Sequence, residues 1–146
     1  MSASQLTVLL LVGCTLNRRE AIAGAAITPG HLIKRNSSNQ FVVHSSATKF
    51  AQSMFALEDE LQGKGITNAY AQNDRVQANV CLPGDQVNAL LKASENVAIG
   101  DFLESAGDGT LQKMVLSSAD DPQFPVAIAL EASNVGTVAR IAVEIV

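Results

Sequence analysis

Apolar and polar residues alternate with a period of two along several short stretches of the chain. The clearest are Gln40-Phe41-Val42-Val43-His44, Arg75-Val76-Gln77-Ala78-Asn79-Val80 and Arg140-Ile141-Ala142-Val143-Glu144-Ile145. Successive side chains of a strand point to opposite faces, so this period predicts half-buried β-strands. Turn signals punctuate them. Asn36-Ser37-Ser38-Asn39 and Gly107-Asp108-Gly109 read as hairpin turns, and Pro83-Gly84-Asp85 separates strands over Val76–Leu82 and Gln86–Lys92. About ten short strands at a spacing of roughly 8–12 residues predict an all-β fold, a small β-barrel or a jelly-roll-like sandwich. Ser46–Leu61 has room for a helical turn or two, but Met54–Leu57 fits a strand better.

The strands fall into two weakly similar halves. Ala25–Arg35 (AAITPGHLIKR) is echoed by Asn96–Ser105 (NVAIGDFLES), and the matches hold nearly constant offsets. Gly30 matches Gly100 and Ile33 matches Leu103, both 70 residues on. Gln40 matches Gln112 at 72, and Ala56-Leu57-Glu58 matches Ala129-Leu130-Glu131 at 73. The closing strands Arg75–Val80 and Arg140–Ile145 match at 65, which implies about eight extra residues in the first copy between Asp59 and Asn73. Gly30 and Gly100 each follow a short loop, where a residue free to take positive φ starts the next strand. The organisation expected is one β domain over residues 1–146. Residues 1–17 form an N-terminal strand or arm, 18–80 the first half-repeat and 81–146 the second.

Leu6–Val12 (LTVLLLV), followed by Gly13-Cys14, imitates a lipoprotein signal. A secretory signal begins with positive charge, and residues 1–5 (MSASQ) carry none. The run is also far shorter than the roughly 20 residues that span a bilayer. A strand buried on both faces is the preferred reading. Cys14 and Cys81 stand in no CxxC context and read as small buried hydrophobes.

Composition narrows the function more than the fold. Hydrophobic residues make up 47% of the 146, yet aromatics are only 4%, so the core is built from Ala, Val, Leu and Ile. Such material suits a pleated sheet better than a pocket gripping a large ligand. Charged residues are 16%, below the roughly 25% of an average domain, which points to surface covered by partners. The net charge is −4, and the basic residues form no stripe for phosphates, so nucleic-acid binding is not expected.

Candidate chemistry is sparse. His31 and His44 lack ligand-spaced neighbours and are expected to be solvated or hydrogen-bonded surface residues. Glu58-Asp59-Glu60 and Asp120-Asp121 read as solvated loops, because adjacent strand residues do not converge. Gly63-Lys64-Gly65 lacks the strand and hydroxyl residue of a phosphate loop, and Gln62–Asn73 reads as a mobile polar excursion suited to contacts. No catalytic residue, metal ligand or cofactor is implied.

The stretch Ala21–Glu58, with the order AIAGAAITPGHLIKR…NQFVVHSSA…MFALE, resembles the head decoration (cement) proteins of tailed bacteriophages. So do its echo NVAIGDFLESAGDGTLQK…FPVAIALE and the intervening RVQANVCLPGDQVNALL, over roughly residues 18–146. The resemblance implies a non-enzymatic virion protein, made in the host cytoplasm. It would bind the outer surface of an icosahedral head and bridge copies of the major capsid protein. It also implies a homo-oligomer, a trimer in preference to a dimer, with no membrane or nucleic-acid partner. The expected contacts are Leu6, Val8 and Leu10 of the N-terminal segment, a core strand or an exchanged arm, and Gly63, Lys64 and Gly65 of the excursion. The competing reading is an exported lipoprotein with a β-sandwich binding domain, separated by whether Cys14 carries lipid. A small β-barrel enzyme would need convergent polar groups that the sequence does not display.

Overall fold

The computed structural model describes residues 7–9, 16–116 and 122–146. Twelve strands follow in chain order: β1 (Arg18–Ile22), β2 (Ile33–Arg35), β3 (Phe41–Val43), β4 (Met54–Ala56), β5 (Arg75–Val80), β6 (Gln86–Leu91), β7 (Asn96–Val97), β8 (Phe102–Ser105), β9 (Leu111–Lys113), β10 (Ala127–Ala129), β11 (Ser133–Asn134) and β12 (Ala139–Ile145). One 3-10 turn, Glu60–Gln62, is the sole helical element among the described residues.

The second half closes into a five-stranded barrel in the order β10-β12-β6-β9-β8. Its long seam is β6 against β12, antiparallel, with Ala89 opposite Ile141 and Val87 opposite Val143. The β6–β9 contact is parallel, Leu91 opposite Leu111, and β10 closes the ring on β8 with Ile128 opposite Phe102.

The first half repeats this ring strand for strand. β1-β5-β4 form one sheet and β2-β3 a hairpin. Single bridges join the two pieces: Ala23 with Phe41, parallel, and Leu32 with Phe55, antiparallel. Each bridge is the counterpart of a pair in the second barrel, Leu91 with Leu111 and Phe102 with Ile128. The hairpins β2-β3 and β8-β9 register at 70, so Gln40 answers Thr110 and not Gln112. Loop hydrogen bonds repeat as well. Gly30 N–H donates to Ala56 O at 2.8 Å, and Gly100 N–H donates to Ala129 O at 2.8 Å. The fold is therefore a β-barrel arrangement with internal duplication, and the sandwich alternative falls away because the strands close on themselves.

The alternation explains the interiors. Ala21, Ile33, Phe41 and Val76 fill the first barrel, and their counterparts Ala89, Leu103, Leu111 and Ile141 fill the second. Each large side chain among them gains about 1.5–3 kcal/mol by leaving water. The hairpin turns lie where the sequence places them, with positive φ at the matching positions Asn39 (59°) and Gly109 (84°).

The largest difference between copies is the β4–β5 connection, residues 57–74, against 130–138 between β10 and β12. This excursion is not wholly polar. Ile66 and Tyr70 are buried in it, Tyr70 Oη donates to Leu57 O at 2.7 Å, and Ile66 O accepts from Arg140 Nη2 at 3.3 Å. Those anchors pin its base to both barrels and leave only its tip as a contact loop.

Candidate interaction surfaces

The two histidines separate in the fold. His44 is buried, not at the surface as its position in the sequence suggests. Its Nδ1 lies 2.6 Å from Ser105 Oγ and its Nε2 3.0 Å from Phe50 O, because β3 runs into the seam between the barrels. His31 sits in the tight turn before β2, where Nδ1 accepts the Thr28 N–H at 3.0 Å. In the second barrel the Asp101 carboxylate does the same job, accepting the Ala98 N–H at 2.9 Å. Burial pushes the His31 imidazole below its ordinary pKa; Asp108 opposes this and Arg140 adds to it. For Asp108 itself burial pushes upward, but hydrogen bonds from Thr110 and the nearby His31 hold its carboxyl below the usual range.

The acidic run is spread rather than convergent. Glu58 accepts the Val8 N–H at 3.0 Å, Glu60 pairs with Arg18 at 3.2 Å on the surface, and Asp59 stands at the N-cap position of the 3-10 turn with no side-chain capping bond. Among the described residues no three His, Cys, Asp or Glu side chains gather where they could hold a metal ion, and no helix is long and apolar enough to cross a membrane.

Of the expected contact residues, Leu6 and Leu10 lie outside the described residues, as do Cys14, Asp120 and Asp121. Val8 is fully buried in its own chain's core. Next to it Leu9 bridges Val87, and Val8 O accepts the Asn88 N–H at 2.7 Å, so residues 7–9 add an extended segment to β6. Val8 therefore presents no side chain to a partner. Gly63, Lys64 and Gly65 are exposed at the tip of the excursion, with Gly63 in the left-handed region at φ 70°.

Two surface features went unread in the sequence. Phe50 and Phe124 meet edge to face, ring centres 6.0 Å apart, on a hollow of mixed lining that Ser53, Val80, Cys81, Gln123 and Val146 share. A separate apolar group, Ile99 and Phe102 with Ile128 and Leu130 beside them, lies on the outside of the second barrel. The signal for it was available, because these positions repeat Pro29, Leu32, Phe55 and Leu57, but only the fold shows which face they occupy.

The chain shares the fold of a phage head protein. The crystal structure of the N base of head fiber gp8.5 in bacteriophage phi29 matches over 90% of this chain and 95% of that one, with a TM-score of 0.56 and 16% identity. No family model matches the sequence, and no curated protein does.

Proposed function

We propose that this protein is a structural component of a bacteriophage virion, carried on the outer surface of the head and bound to the major capsid protein, without catalysis. The observation that carries the reading is the fold match, which spans nearly the whole of both chains and belongs to a protein of a phage head. The resemblance of residues 18–146 to head decoration proteins supports it independently. So does the low charge of a chain that keeps large apolar side chains such as Ile99, Phe102 and Phe50 at its surface.

In the finer form of the proposal the protein acts as a cement. A ligand that binds the assembled lattice and not its separated subunits stabilises that lattice by mass action. Many copies, each binding weakly, add through multivalency. The exposed excursion tip at Gly63-Lys64-Gly65 is the proposed capsid contact.

The test mixes the purified protein with expanded heads lacking it and follows sedimentation and the temperature of DNA release. Co-sedimentation with a raised release temperature supports cement. Co-sedimentation without that rise leaves a virion component that does not stabilise, and protein left in the supernatant overturns the reading.

A further inference from the structure

The two barrels pack on each other through unlike faces, and each of those faces has an unoccupied counterpart elsewhere in the chain. On the first barrel the buried face is Pro29, Leu32, Phe55 and Leu57. The second barrel covers its Pro29 edge with the outer side of β6 and β12. Leu90 N–H donates to Gly30 O at 3.3 Å, and Arg140 Nη1 donates to Pro29 O at 2.8 Å. Gly30 closes so tightly here that a Cβ would lie 3.0 Å from Asn88 O and would collide with the Arg140 guanidinium.

The counterpart of the covered face is Ile99, Phe102, Ile128 and Leu130, at offsets of 70 and 73. Every one is apolar, yet Ile99 is 71% and Phe102 45% exposed, whereas Leu32 and Phe55 are fully buried. An outward-facing sheet position that met water would be expected to be polar. Gly100 keeps the same turn, φ 93° against 96° at Gly30, with nothing within 4 Å of the place a Cβ would take. The counterpart of the covering face is the outer side of β1 and β5: Glu20, Ile22 and Arg75 stand where Asn88, Leu90 and Arg140 stand, at offsets of 68 and 65. Glu20 and Arg75 are exposed and Ile22 half-buried.

We propose that a second copy of this chain occupies the open face. The β1–β5 side of one chain docks on the Ile99–Phe102 side of the next, repeating between chains the packing that joins the barrels within one. Arg75 then reaches the Ile99 carbonyl as Arg140 reaches that of Pro29. The contact is head to tail, so it closes into a ring only if its rotation closes. It stands on the repeat geometry and does not depend on the virion reading.

The test uses the full chain and two variants, Phe102→Glu and Arg75→Glu, each spoiling one side of the contact. Circular dichroism checks the fold, and Ile99→Asp replaces Phe102→Glu if that variant unfolds. Light scattering should show an oligomer for the wild type and a monomer for each variant. Mixed in equal amounts, the two variants should form a dimer, because each retains the side that the other lacks. A monomeric wild type overturns the inference, as does a variant that stays oligomeric or a mixture that stays monomeric. A monomer that still co-sediments with heads would sink this inference alone and leave the virion role standing.

Discussion

His44 Nδ1 and Ser105 Oγ, 61 residues apart in sequence, meet at 2.6 Å in a buried hydrogen bond that ties β3 of the first barrel to β8 of the second. Phe50 O can only accept, so Nε2 donates to it, and Nδ1 is left to share its hydrogen bond with the Ser105 hydroxyl. Ser105→Ala leaves a buried ring nitrogen without its partner. The expected loss of stability is about 1–3 kcal/mol, read as a lower urea midpoint at unchanged slope. Ser105→Thr, which keeps the hydroxyl, should retain most of the stability.

Gly30 and Gly100 share one backbone conformation in different surroundings, so the same substitution should behave differently at each. Gly100→Ala meets only the left-handed backbone penalty, about 1–2 kcal/mol in the isolated monomer. Gly30→Ala adds displacement of Arg140 from its hydrogen bond to Pro29 O. Thermal unfolding should rank Gly30→Ala clearly below Gly100→Ala.

Stability should fall as the pH drops below the ordinary histidine pKa of 6.5, through His31. Its folded value is depressed, so the unfolded chain binds the proton first. The neutral ring's contribution is whole above 6.5 and is lost as the pH falls through the folded value. His31→Asn keeps an acceptor for the Thr28 N–H and does not titrate. Urea midpoints measured between about pH 7 and pH 5 should decline less steeply for this variant than for the wild type.

The chain has a single tyrosine, so the ultraviolet tyrosinate band reports Tyr70 alone. Burial pushes its pKa up to about 12, with nearby Asp59 and Glu58 adding to the rise and the Gln77 N–H opposing it. Titration should leave the band undeveloped at pH 10 and raise it near pH 12. Because the folded pKa is raised, stability is whole below the unfolded value of 10 and is lost as the pH climbs above it. A band that develops at pH 10 in folded protein would show that the excursion does not hold Tyr70 as described.

The period-two pattern and the turn residues determined the strands, because alternation and positive-φ turns are local properties that a sequence displays directly. Offsets of 70 between Gly30 and Gly100 and 73 between Ala56 and Ala129 were legible for the same reason, and they recur as matching hydrogen bonds. The ring closures were not legible. Ala23 with Phe41 and Leu91 with Leu111 join strands far apart in sequence, and no local signal names a strand's partner. Nor could the sequence separate outward positions that meet water from those that meet the other barrel. His44 looked like a surface residue until β8 was placed beside it, and whether Val8 belonged to a core strand or an arm was open until β6 took it into the core. Phe102 and Leu32 hold equivalent places in the repeat, and only the tertiary structure shows one open and the other covered. The repeat is a property of each barrel, whereas burial of its outer face depends on what packs against it.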